Sequence, residues 1–196
     1  FPLTLSEQET KKIGFKKWKT KEILVAIEDS TQKPYGSNMG DSIYIHIEPT
    51  IAGKYIWGQD WVLIKLLQGN KFRRPIYFSK TLSWLKPYVR REGLVSRIVP
   101  DDSLRESCNP LRKNLFQRYT YRGYVNPDVI LDKYTKMVGQ EYFKAFISLA
   151  QCSLQKGDTT TFNQAIKKVE EVLPPKRINI SPKTEQSFEK LKEKVL

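Results

Sequence analysis

Apolar residues recur at every second position in two short runs of the first half. Ile23, Val25 and Ile27 form one. Ile43, Ile45 and Ile47 form the other, with Tyr44, His46 and Glu48 on the opposite face. A period of two over such lengths predicts half-buried strands. The stretch between them, Lys33 to Asp41, contains Pro-Tyr-Gly-Ser-Asn-Met-Gly and reads as a loop. Asp60 to Leu67 is a compact apolar segment, read as a short helix stopped by Gly69 and Asn70. Pro75 then opens Ile76-Tyr77-Phe78, a strand signal with proline at its tolerated first position. Gly93 to Val99 reads as a further strand, ended by Pro100.

After Pro100 the period changes to three and four. Asn126-Pro127-Asp128 combines a capping side chain, a proline suited to the first turn and an acid at the positive end of the helix dipole, so a helix is expected to start there. Leu131, Tyr134, Val138, Tyr142, Ala145 and Leu149 mark its apolar face as far as about Gln155. Gly157 stops it and Asp158 caps the next helix, whose apolar side is Phe162, Ala165, Ile166, Val169 and Val172, with Pro174-Pro175 at its end. Ser181-Pro182 opens a last helix with Phe188, Leu191 and Val195 as its stripe. Phe146, Leu149, Ala150, Gly157, Phe162, Ile166, Val169 and Pro174 fall where one degenerate tetratricopeptide-type repeat places its packing residues. An ordinary helical hairpin gives the same pattern. The fold class expected is α+β. Residues 1–100 form a small mixed sheet with helices, and residues 101–196 form a helical, tetratricopeptide-like tail.

Composition narrows the class. Of 196 residues, 39% are hydrophobic and 12% aromatic, which is enough for a sizeable core and excludes a wholly disordered chain. Thirty-four Lys and Arg against 21 Asp and Glu give +13. The excess is dispersed: residues 1–100 carry 17 basic and 9 acidic groups, residues 101–196 carry 17 and 12. Such a field fits nucleic acid, an anionic membrane surface or solubility. The chain starts at Phe1, and Glu7, Glu9, Lys11 and Lys12 interrupt any apolar leader, so it reads as a piece cut from a longer chain or as a processed one. The longest uncharged run of the second half, Ala145 to Gln155, is shorter than the roughly 20 residues that span a bilayer.

Little in the sequence resembles a reaction centre. His46 is the only imidazole; it is a candidate base, but a surface or structural role suits it better. Two cysteines cannot make a disulfide framework. Cys108 and Cys152 pair only in an oxidising compartment, and two unrelated thiols is the preferred expectation. Metal-ligand spacing, a phosphate loop and a nucleophile elbow are all missing from the sequence, so no catalytic residue, metal or cofactor is expected. Lys71, Arg73 and Arg74 precede one predicted strand, and Arg90, Arg91 and Arg97 flank another. Neighbouring strands would gather them into an anion site, with Tyr77, Trp84 and Tyr88 available for stacking. The alternative is structural pairing with Asp60, Glu92, Asp101 and Asp102.

The stretch from Asp60 to Asn70, followed by Arg74-Pro75-Ile76-Tyr77-Phe78, resembles a signature of large bacterial multi-pass membrane proteins. These form the "domain of unknown function 2723" family, which is related to protein O-mannosyltransferases. Tyr88, Glu92-Gly93-Leu94, Arg97 and Val99-Pro100 follow as in that family, and Gly157-Asp158 and Leu173-Pro174 match its helical tail. The likeness covers roughly Gly58 to Pro175; residues 1–57 show none. It implies a soluble C-terminal domain on the extracytoplasmic, periplasmic face of a bacterial inner membrane. Catalysis would then lie in loops of an absent transmembrane part, and Arg74, Pro75, Tyr77, Phe78, Glu92, Gly93, Leu94, Arg97 and Pro100 carry over only as motif positions. The implied partners are that transmembrane region, an acceptor protein or another subunit, and anionic lipid or a lipid-linked donor. A freestanding helical-repeat interaction module is the alternative. A nucleic-acid binder ranks last, because the charge is dispersed and no recognition motif accompanies it.

Overall fold

A computed structural model of the chain describes Gly14, residues 16–29 and residues 41–194. The loop expected from Lys33 to Asp41 lies, but for Asp41, outside them, as does Val195. The chain divides into two compact units. One comprises Phe1–Arg90 and Ser96–Arg105, the other Arg91–Val95 and Glu106–Leu196.

The first unit is built on short antiparallel pairings. β1 (Lys16–Lys17) pairs with β4 (Tyr55–Ile56), and β2 (Lys21–Ala26) pairs with β3 (Ser42–Ile47) in the register Ile23↔Ile45 and Leu24↔Tyr44. The alternation read from the sequence sets the faces. Ile23, Val25, Ile43, Ile45 and Ile47 are buried, while Leu24, Tyr44 and His46 face solvent. Helix α1 (Gly58–Asn70) lays Ile64 and Leu67 on this sheet. Trp18, Ile56, Phe72, Trp84, Leu85 and Ile98 complete the core. β5 (Tyr77–Phe78), β7 (Ser96–Ile98) and β6 (Val89–Arg91) make a three-stranded sheet in the order β5-β7-β6. A 3₁₀ segment, Ser83–Tyr88, carries Trp84 and Leu85 into the core.

Two expectations change here. Gly69 lies inside α1, whose last residue is Asn70; Lys71 follows as the C-cap in a left-handed conformation (φ 50), its N–H donating to the Leu67 carbonyl. The Gly93–Val99 strand shrinks to Ser96–Ile98, because Gly93 sits at φ +120, a conformation outside strand geometry.

The second unit is helical. It contains α3 (Asn109–Lys113), which runs on through a π-turn (Asn114–Arg118), then α4 (Lys133–Gln155), α5 (Thr159–Val172), α6 (Pro175–Ile178) and α7 (Pro182–Lys192). A one-turn helix α2 (Asp102–Arg105) closes the first unit's share of the chain. The predicted start at Asn126 is a correction. Asn126 forms a local turn, its Oδ1 accepting the Asp128 N–H at 3.0 Å, and α4 begins at Lys133, where the Asp132 carboxylate accepts the Thr135 N–H at 2.6 Å. Either acidic or amide side chain can cap, and the turn after Pro127 took the first. Gly157 (φ +71) and the Asp158 cap separate α4 from α5 as expected. Ala145, Ala150 and Ala165 are fully buried, so the two helices approach closely, while Phe143, Phe146, Phe162, Leu149 and Val169 fill the interface. Phe188 of α7 meets Phe143 edge-on at 5.0 Å.

Cys108 and Cys152 are joined in a disulfide across 44 residues of chain, with 6.0 Å between their Cα atoms. The expectation of two unrelated thiols is therefore overturned. Sequence spacing carried no hint of the pairing, because it depends on α3 packing against α4.

Candidate functional site

Several residues of the predicted cationic cluster are engaged in structural contacts. Lys71 Nζ lies 2.8 Å from Glu28 Oε1 and Arg73 Nε 3.2 Å from Glu28 Oε2. Together they tie the end of α1 to the chain leaving β2, and the Lys71 hydrogen bond holds the Glu28 carboxyl below its ordinary range. Arg73 also donates to the Gly69 carbonyl at 2.8 Å, so it caps orphan carbonyls of α1. Arg74 is held through its backbone, its carbonyl accepting from Asn70 Nδ2 at 2.7 Å. Arg90 donates to the Leu104 carbonyl at 2.6 Å. Arg91 belongs to the other unit, where it donates to the Gly93 carbonyl at 2.9 Å and lies 3.5 Å from Glu141; burial pushes its guanidinium below the usual value. Arg97 is half-buried on β7 opposite Tyr77. The partners of these cations include Glu28, Glu141 and backbone carbonyls.

The motif positions have local physical duties. Pro75 is exposed and lies two residues before the start of β5; Tyr77 is 48% exposed, whereas Phe78 is half-buried and packs against the core of the first unit. Glu92 and Pro100 are buried and Leu94 is half-buried. Gly93 does two things that no other residue can do there. It adopts φ +120, and it lets the Tyr119 ring approach so closely that a Cβ would sit 2.7 Å from Cε2.

Among the described residues, two surface hollows are candidate sites. In the first unit a pocket of about 300 Å³ is lined by His46, Glu48, Thr50, Trp84, Pro87 and Tyr88, among others. His46 Nε2 lies 3.7 Å from Glu48 Oε1, and the His46 N–H donates to Tyr88 Oη at 2.9 Å. Below the rim is a buried carboxylate, Asp60. It accepts from Thr50 Oγ1 at 2.8 Å, from the Trp57 N–H at 3.0 Å and from Trp84 Nε1 at 3.2 Å. The Thr50 proton is thereby committed to Asp60, so Thr50 is not a nucleophile poised on His46. The arrangement offers stacking faces, an imidazole and a carboxylate, which suits binding of a polar, partly planar group. The second unit holds an open groove of about 600 Å³ lined by Asn109, Arg112, Lys113, Phe116, Gln117 and Gln164. Its amides and cations suit hydroxyl-rich or anionic groups. Sequence reading missed these residues because α3 was not predicted. Asn109-Pro110, the same start signal as Asn126-Pro127, could have found it. Among the described residues no group of three or more His, Cys, Asp or Glu side chains could hold a metal ion.

The fold and these hollows define a mixed α/β unit followed by a helical unit, with surfaces suited to contact. Within the described residues no helix is long and apolar enough to cross a membrane. A family model described as TMEM260-associated domain 2 matches residues 14–114, just over half of the chain, and the chain belongs to that family. It is accordingly a domain associated with a membrane-protein family. The match begins upstream of the resemblance read from the motifs, taking in residues 14–57, and it stops before α4. Comparison with curated proteins and with solved structures finds no match.

Proposed function

We propose that the chain is a non-catalytic, extracytoplasmic C-terminal domain of a multi-pass membrane protein of the "domain of unknown function 2723" kind, related to protein O-mannosyltransferases and periplasmic in a bacterium. The observation that carries this reading is the Cys108–Cys152 disulfide. Such bonds persist in oxidising compartments, and a pair on the cytosolic side of a membrane would be held as thiols. Membership of a family tied to a membrane protein supports the attachment. The hollow beside His46 and Tyr88 and the groove beside Arg112 and Phe116 supply contact surfaces for an acceptor segment or a lipid-linked sugar donor. Sugar transfer itself would fall to the transmembrane part of the parent chain. The helical unit would hold an acceptor protein or a further subunit on a single tetratricopeptide-like pair, α4 and α5.

The test is labelling in intact cells that express the full parent chain. After an impermeant reductant, an impermeant maleimide should modify Cys108 and Cys152 without lysis. Modification only after lysis, or before any reductant is added, defeats the reading.

A further inference from the structure

Helix α4 has 23 residues and its partner α5 has 14. At 1.5 Å per residue, α4 outruns α5 by about 13 Å. The apolar stripe of α4 does not stop where its cover does. Tyr134 and Val138 share the face that continues as buried Ala145 and Leu149, yet they are 74% and 42% exposed, and Met137 beside them is 51% exposed. The segment leading into the helix adds Val125, Val129 and Ile130, the last 95% exposed. Six large apolar side chains thus stand in water within fourteen residues, whereas isolated exposed residues are the norm.

The protrusion is built rather than loose. Arg177 Nη2 donates to the carbonyls of Asn126 and Val129, each at 2.8 Å. Tyr124 Oη donates to the Thr135 carbonyl at 3.0 Å. Exposed cations flank it: Arg122, Lys133 and Lys176. Of the two acids in the segment, Asp132 is engaged in capping α4.

We propose that this protruding edge of the helical unit, Val125 to Val138, seats on a bilayer surface bearing anionic lipid. Three features favour a bilayer over a protein groove. Ile130 projects almost wholly into solvent, as an inserting side chain must. Tyr134 has the amphipathic ring that settles at the headgroup level. Lysines at the rim can lay their stems along the apolar patch and their charges among phosphates. The inference rests on the membrane attachment proposed above but not on which side the domain occupies.

The test uses the 196-residue chain with its disulfide intact and vesicles of equimolar phosphatidylcholine and phosphatidylglycerol. Sedimentation should recover the chain with the vesicles. I130S/M137S should weaken recruitment about ten-fold or more, the loss of burying two apolar side chains. K133S and K176S should each weaken it about five-fold on these vesicles and leave pure phosphatidylcholine unaffected. Tyr134→Trp should show a blue-shifted emission quenched by brominated lipid. Circular dichroism should be unchanged in all variants, because the substituted residues are exposed. Recruitment of I130S/M137S equal to the parent, or no recruitment at all, overturns the proposal. So does a parent chain that self-associates in light scattering while I130S/M137S is monomeric, which would assign the patch to a second copy. Cytoplasmic labelling of the cysteines with vesicle binding retained would sink the extracytoplasmic reading alone.

Discussion

Replacing both cysteines by serine tests how the helical unit is held. The Cys108–Cys152 bond closes 44 residues of chain that contain the π-turn, the segment to Asp132 and most of α4. In the chain-entropy account, opening a loop of that length returns about 13 cal/mol/K to the unfolded state, or about 4 kcal/mol at room temperature. That is a large share of the roughly 5–15 kcal/mol by which domains are stable. With a urea dependence of about 1.5 kcal/mol/M, the C108S/C152S midpoint should fall by roughly 2–3 M. Far-UV circular dichroism is the right probe, because α4, α5 and α7 dominate the helical signal. Tryptophan emission reads the other unit, since Trp18, Trp57, Trp61 and Trp84 all lie there. A circular-dichroism midpoint that moves by less than about 0.5 M would refute the reasoning. Alkylation of the native chain without reductant would refute the bond itself.

Gly93→Ala should cost about 2–4 kcal/mol, since the new Cβ meets the Tyr119 ring at a backbone angle unsuited to L residues, and a thermal melt within error of the parent would contradict this. The Asp158 carboxylate accepts from Thr161, which holds its pKa below the ordinary aspartate value. A depressed folded value means the cap stabilises α5 above the unfolded carboxylate range and is lost as pH falls through the folded value. Asp158→Asn keeps an accepting oxygen, so it should flatten that part of the acid unfolding curve while retaining the helix at neutral pH. A steeper acid limb in D158N, or a carboxyl titrating above ordinary aspartate by NMR, would contradict the assignment.

The sequence by itself determined the elements whose signals are local. Alternating isoleucines fixed the faces of β2 and β3, because side chains of a strand must point to opposite sides. Gly157, Asp158 and Ser181-Pro182 fixed helix boundaries, because orphan N–H groups need an acceptor within a turn. The α+β class followed from these periods, and the fold has it. What depends on residues distant along the chain was decided only in three dimensions. The arginines were countable, but which groups they meet depends on which strand and helix ends adjoin: Arg73 meets Glu28, Arg91 meets Glu141 and Arg90 meets the Leu104 carbonyl. The cysteines pair because α3 packs on α4. The same cause governs the stripe of α4: periodicity marked Tyr134 and Val138 as apolar, but only the shorter length of α5 left them in water.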